Sequence, residues 1–216
     1  FLGCRRNNPR LSEYAQRYPV VQCCEYVPEL KQPTVSIDNY TAAAETIDYL
    51  INQGHRRIAL LSADNDFIST QQRRQGYEDV LRKAGLPYSG ELVALADADY
   101  SYASGLVAAE RLLRTEPRPT AVCCVSDILA LSVISLAHDM GLRVPEDLSV
   151  TGFDDVDYTT MFHPHLTTVA QPCYEMGQVS LKILLRMLGG EQVSRTHTFL
   201  PHKLVVRESV AARNEL

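Results

Sequence analysis

The 216-residue chain has no apolar run long enough to cross a bilayer, which argues against a transmembrane helix. Its opening residues, FLGCRRNNPR, lack the basic, apolar and small-residue order of a secretory signal. Positive charge is short as well: 21 Lys and Arg stand against 26 Asp and Glu, a net charge of −5. Phosphate backbones are held by concentrated basic surface, so this segment is not expected to bind DNA by itself. The six cysteines include no C-x-x-C pair, which removes the usual zinc and redox spacings. Neither G-x-G-x-x-G after a strand nor G-x-x-x-x-G-K-[ST] occurs, so a nucleotide-processing enzyme lacks its phosphate cradle. The G-x-S-x-G elbow is missing too, which leaves a serine hydrolase without a nucleophile. No internal repeat or low-complexity tract interrupts the chain.

Hydrophobic residues make up 45% of the sequence, enough to bury the core of one large α/β domain or two small lobes. The cysteine pairs lie in apolar runs, PVVQCCEYV at 19–27 and AVCCVS at 121–126, and read as buried, reduced thiols of a cytoplasmic protein. The chain opens on Phe-Leu-Gly with a helix close behind, which reads as a piece of a longer protein.

Short β-branched runs alternate with amphipathic helical stretches from Pro19 to Leu142, the pattern of a parallel sheet. Strands are expected at 20–24, 58–61, 92–96, 121–125 and 148–153, and helices at 11–18, 70–84, 102–114 and 128–140. A further helix should start behind Asp38 and Asn39, whose side chains accept orphan backbone N–H bonds, and stop at Gly54. Tyr77, Val80, Leu81 and Ala84 should form the buried face of the 70–84 helix, and Asp127 should cap the next but one. After Phe153 the polar segment 154–165 leads to a strand at 166–170, a helix at 174–188 and two closing strands near 196–200 and 203–207. In an open parallel sheet the ligand crevice lies beyond the carboxyl ends of the strands, so the loops after Leu61, Ala96, Val125 and Phe153 should converge.

Two clusters carry candidate chemistry. His163-Pro164-His165 offers two imidazoles but no carboxylate at a helical spacing, which leaves a metal site without support, and no cofactor is indicated. Asp154, Asp155 and Asp157 suit acid/base work or helix capping; Asp154, at the end of the strand SVTGF, is placed to face a ligand.

Five strings taken together are specific: 35–61, 73–86 (RRQGYEDVLRKAGL), 118–131, 140–155 (MGLRVPEDLSVTGFDD) and 163–178 (HPHLTTVAQPCYEMGQ). In order and spacing they resemble the effector domain of the lactose-repressor family, and 25–43 is similar to its cytidine-repressor branch. The resemblance implies an α/β, periplasmic-binding-protein-like fold: two Rossmann-like lobes with parallel sheets, joined by three crossovers. The first, incomplete lobe would hold 1–36 and 166–193, and the second 37–165 and 194–216. The family's helix-turn-helix and the opening units of its first lobe have no counterpart in this sequence.

By the same resemblance, Arg73 in R-x-x-G-Y corresponds to the arginine that forks onto effector hydroxyls or carboxylate. Asp154 in GFDD corresponds to the cleft aspartate, and Tyr100 in A-D-Y-S-Y-A-S-G to the aromatic residue that stacks on the ligand. Ser69 falls where a small hydroxyl reaches the ligand, and Ser126 where sugar-type members present a polar group. Phe67 stands where purine-type members carry arginine, which argues against a purine-type contact there. The helix 128–140 is apolar nearly all round, and Leu131, Ile134, Ser135, Leu136 and His138 on its outer face imply a homodimer contact.

The expected function is non-enzymatic: a sugar or nucleoside effector binds between the lobes and controls operator DNA binding by a head absent from this chain, without any membrane partner. Two rival readings fit the same pattern. A periplasmic sugar-binding protein of a transport system shares the architecture, and an α/β enzyme acting on a sugar would use Asp154 or Asp155 as base.

Overall fold

A computed structural model of the protein describes residues 10–194 and 196–213; Cys4 lies outside the described residues. The elements in chain order are α1 (Arg10–Arg17), β1 (Gln22–Cys23), β2 (Thr34–Ser36), α2 (Asn39–Asn52), β3 (Ile58–Ala63), α3 (Ile68–Lys83), β4 (Val93–Ala96) and α4 (Tyr102–Leu113). They continue with β5 (Ala121–Cys124), α5 (Asp127–Asp139), β6 (Ser149–Thr151), β7 (Thr168–Ala170), α6 (Cys173–Leu188), β8 (His197–Phe199) and β9 (Lys203–Val205).

Local signals set most of these bounds. The Asp38 carboxylate accepts from Thr41 N–H at 3.0 Å and starts α2, and Gly54 takes a φ of +88° just past its end. Gly85 and Gly141 repeat that left-handed stop after α3 and α5. The start of α5 differs from expectation. Ser126 is the cap, its hydroxyl facing Leu129 N–H at 3.4 Å, while Asp127 is the first helical residue and points its carboxylate elsewhere. Ala84 ends up exposed beyond α3 rather than on its buried face.

Two parallel sheets organise the chain. β4, β3, β5 and β6 lie side by side in that order, and β1, β2 and β8 form a smaller sheet. Each has its own core. Leu60, Leu61, Tyr77, Leu81, Leu112 and Leu129 are fully buried around the larger sheet; Val35, Ile37, Val169 and Met176 are fully buried around the smaller. Burial of each large aliphatic side chain contributes about 1.5–3 kcal/mol.

The chain passes between the two cores three times. α2 puts Ala42 into the smaller core and Ile47 and Leu50 into the larger, and Leu166 lies in the larger while Val169, three residues on, lies in the smaller. The third passage follows β8: β9 runs antiparallel to β7, and Ser209 then accepts from Val150 N–H at 2.8 Å beside β6. One boundary needs correction. The sequence reading placed 194–216 with the second lobe, yet His197–Phe199 pairs with Thr34–Ser36 in the first sheet. A three-residue strand carries too little pattern to reveal a partner some 160 residues away.

The motif glycines serve packing. A Cβ on Gly76 would stand 2.6 Å from the Tyr40 carbonyl oxygen and 3.1 Å from Ala43 Cβ, so R-x-x-G-Y brings α3 close against α2. In GFDD, a Cβ on Gly152 would collide with the Asp127 carboxylate.

Candidate ligand-binding cleft

The loops at the carboxyl ends of the strands meet between the two lobes. Asp64 N–H donates to the Ala96 carbonyl at 2.8 Å, Val125 N–H to that of Leu61 at 3.0 Å, and Asp127 N–H to that of Phe153 at 2.8 Å. The backbone is strained there: of the five non-glycine residues with positive φ among the described residues, four (Cys24, Tyr100, Asp154 and Asp155) sit just after β1, β4 and β6. Such conformations cost on the order of 1–3 kcal/mol each, and they cluster where side chains are aimed for function.

Arg73 is the centre of the cluster. It lies one turn into α3, is 8% exposed, and donates from Nε to Asn39 Oδ1 at 2.9 Å and from Nη1 to the Val125 carbonyl at 2.6 Å. Its guanidinium sits 3.5 Å above the Phe153 ring centroid. Nη1 also approaches Asp154 Oδ1 at 3.7 Å, so two residues 81 positions apart share one place, as the motifs imply.

Asp154 keeps a third of its side chain exposed and accepts from Gln171 Nε2 at 2.7 Å. At 3.7 Å the attraction to Arg73 amounts to about 4 kcal/mol at an effective dielectric near 20, less solvent screening. Burial nevertheless holds the Asp154 carboxyl above its usual range, against the pull of Arg73 and Gln171. A third of the side chain still faces solvent, from which a further donor can approach.

The remaining predicted residues fall around the start of α3 with differing roles. Ser69 is buried, and Phe67 and Tyr100 stack with ring centroids 6.4 Å apart. The Tyr100 hydroxyl is bonded to Thr70, which ties the ring to α3 rather than to Arg73 or Asp154. Ser126 is buried and its hydroxyl caps α5. Of the acidic cluster, Asp155 is taken by Arg207 at 2.6 Å, Asp157 is exposed, and only Asp154 joins Arg73.

Sequence reasoning missed the first-lobe side of the cleft. Glu25, just beyond β1, is buried and reaches across to α3, its two oxygens accepting from Ile68 N–H at 3.2 Å and Ser69 N–H at 3.3 Å. A carboxylate suits a helix N-terminus. Burial still raises its pKa, while Ser69 and Arg73 pull it down. Gln72 Nε2 donates to the Tyr26 hydroxyl at 3.1 Å in a second contact between the lobes. The available signal was a lone acid at the carboxyl end of an apolar strand, the same logic that singled out Asp154.

A second feature lies elsewhere. The outer face of α5 lines an open groove of about 860 Å³, into which Leu131, Ile134, Ser135 and His138 project beside Leu142 and Phe162. Its lining is mainly apolar, whereas the cleft around Arg73 offers directed polar groups. Directed polar groups are what a small polar ligand requires, and an open apolar face is what a protein surface requires.

An α/β chain with two parallel-sheet lobes, whose facing strand-end loops bring Arg73, Asp154 and Glu25 together, has the architecture of the periplasmic-binding-protein class. The periplasmic binding protein-like domain family matches residues 47–210. The HTH-type transcriptional repressor CytR of Escherichia coli K12 is 40% identical over 194 residues, covering 90% of this chain and 56% of that protein. A putative LacI transcriptional regulator from Bacillus cereus subsp. cytotoxis superposes with a TM-score of 0.89 at 30% identity, covering 97% of this chain and 75% of that one. The transcriptional regulator CelR in complex with cellobiose gives 0.88 at 32% identity, covering 97% and 64%. The chain belongs to the LacI family of regulators, as a periplasmic-binding-protein-like domain. It spans about half the length of the curated relatives it matches. Among the described residues no helix is long and apolar enough to cross a membrane.

Proposed function

We propose that this chain is the effector-binding and dimerisation part of a cytoplasmic LacI-type transcriptional regulator. A sugar or nucleoside binds between the lobes and sets operator binding by the regulator's DNA-binding head. The observation that carries the reading is the meeting of Arg73 with Asp154 at the strand ends. Arg73 offers a planar donor group held by Asn39 and Val125, and Asp154 is an acceptor with a third of its side chain exposed. Vicinal hydroxyls, or the hydroxyls and amine of a nucleoside, supply both complements. Phe67 and Tyr100 provide an aromatic edge for a sugar or base face.

The relatives favour this reading over a transport protein, since those with named functions are transcriptional repressors and regulators, one of them solved with cellobiose. They equally weigh against an enzyme acting on a sugar. Signalling requires that the effector prefer one lobe closure, because equal affinity for two closures shifts nothing. The Glu25 bonds to α3 and the Tyr26–Gln72 contact span the lobes and report that closure. The α5 groove serves a homodimer, which would pair two DNA-binding heads.

Calorimetric titration across sugars and nucleosides, repeated with Arg73→Ala and Asp154→Asn, tests the cleft. Loss of a hydrogen bond to a charged group costs about 1.5–3 kcal/mol, so each variant should bind roughly 10- to 100-fold more weakly. Wild-type affinity in both variants would place the ligand elsewhere.

A further inference from the structure

We propose that His163, His165 and Glu208 form a binding site for a divalent transition-metal ion, with Zn²⁺ the best match. In sequence the two histidines have no carboxylate nearby, and the fold supplies one from 43 residues further along. β9 runs back beside β7, and beyond it Glu208 and Ser209 N–H both donate to the His165 carbonyl, at 3.0 and 3.1 Å. Thr167 N–H donates to Ser209 Oγ at 2.8 Å, and Arg207 N–H to Thr167 Oγ1 at 2.9 Å. The backbone carrying His165 and Glu208 is therefore laced together before any ion arrives, and the His163 side chain reaches the same carboxylate from two residues upstream.

The donor atoms converge. His163 Nδ1 lies 2.8 Å from Glu208 Oε2, His165 Nδ1 lies 3.5 Å from Oε1, and the donor atoms of the three residues all lie within 4.8 Å of one another. Tetrahedral bonds of 2.0–2.2 Å give ligand-to-ligand edges of roughly 3.3–3.6 Å; the His165 separation already matches, and His163 and Glu208 need to part by about half an ångström to admit an ion. The imidazoles are stacked with centroids 4.3 Å apart, which aims both Nδ1 atoms at the same carboxylate. His165 N–H also donates to Oε2 at 3.0 Å and holds the carboxylate in place, the task of an outer-shell partner in metal sites.

Two imidazoles and one carboxylate suit Zn²⁺, Co²⁺, Ni²⁺ or Cu²⁺; Mg²⁺ and Ca²⁺ call for oxygen ligands. His163 and Glu208 line the same groove as the outer face of α5 and are 77% and 50% exposed in the single chain, so a fourth position is open to water or to a group from a second copy docked there. A simple surface ion pair needs one histidine for one carboxylate, as His202 and Glu45 show at 2.9 Å. At Glu208 two imidazoles close on one carboxylate, one toward each oxygen.

Titrating the tag-free intact protein with Co²⁺, and reading ligand-field absorption, tests the site. The expected result is one Co²⁺ with nitrogen ligation, displaced by Zn²⁺, and bound more than roughly tenfold more weakly by His163→Ala, His165→Ala or Glu208→Gln. His202→Ala serves as the control and should bind as wild type, with circular dichroism showing every variant folded. A spectrum that stays that of the aquo ion would overturn the proposal. So would affinity that falls no further in the three site variants than in the control, which would mean an adventitious ion only.

Discussion

Asp127 gives the sharpest physical prediction. It is 1% exposed, and its carboxylate accepts from Thr168 Oγ1 at 2.5 Å and from Val156 N–H at 2.9 Å, which anchors the loop bearing Asp154 to the start of α5. Burial lifts its carboxyl from 3.8 to about 7, against the pull of those two bonds, and Asp154 and Asp155 nearby push the same way. Between about pH 4 and 7 the folded protein therefore holds a proton that the unfolded chain has released, so stability falls as pH rises. The slope approaches roughly 1.4 kcal/mol per pH unit, and the total loss is roughly 4 kcal/mol, of which roughly 2.5 falls between pH 5 and 8.

Asp127→Asn removes the titration. Thr168 and Val156 donate to different oxygens of the carboxylate, and the amide puts an NH2 group in place of one of them, which adds a cost of about 1–3 kcal/mol that does not depend on pH. His55, held down to about 4 by burial, contributes the opposite slope over part of the same range, but it does so in both proteins and cancels in the difference. Urea unfolding followed by far-UV circular dichroism at steps from pH 5 to 8 should show wild type losing ground against Asp127→Asn by roughly 2.5 kcal/mol. Parallel curves for the two proteins would mean that Asp127 is ionised in the folded state throughout, and the burial argument would fail.

Glycines supply a matched pair of expectations. Gly76→Ala drives a Cβ to 2.6 Å from the Tyr40 carbonyl oxygen and should lower stability by about 1–2 kcal/mol, since overpacking outweighs the gain in helix propensity. Gly177→Ala in α6 meets nothing within 4 Å and should raise stability by up to about 1 kcal/mol; equal responses in chemical denaturation would contradict the packing account. On the α5 face, Ile134→Arg puts charge into the apolar groove and should convert a dimer to monomers in sedimentation velocity, with the circular dichroism spectrum unchanged. A wild-type protein that sediments as a monomer, or a variant that remains dimeric, would remove the groove as the pairing surface.

Much of the architecture was legible because its instructions are short-range. Asp38 starting α2, Gly54, Gly85 and Gly141 ending helices, and the β-branched runs of β3 and β5 each act within a few residues through hydrogen bonding, φ limits and side-chain period. The position of Asp154 and Arg73 at strand and helix ends was legible for the same reason, aided by the R-x-x-G-Y and GFDD motifs. The errors also have a common form. Asp127 looked like a cap because Asp caps helices, but its carboxylate is claimed by Thr168, 41 residues away. Glu25 drew no notice because its partners are two N–H groups more than 40 residues downstream in the other lobe.

By itself, then, the sequence determined the order of strands and helices and the parallel sheets, which follow from local backbone chemistry, while Arg73 and Asp154 were singled out through the resemblance of R-x-x-G-Y and GFDD to family motifs. Tertiary structure alone decided which lobe receives His197–Phe199, that Glu25 bridges the lobes, and that Glu208 completes a pair of histidines. These depend on where separate segments come to rest against one another, and nothing in the neighbouring residues encodes a partner dozens of positions away.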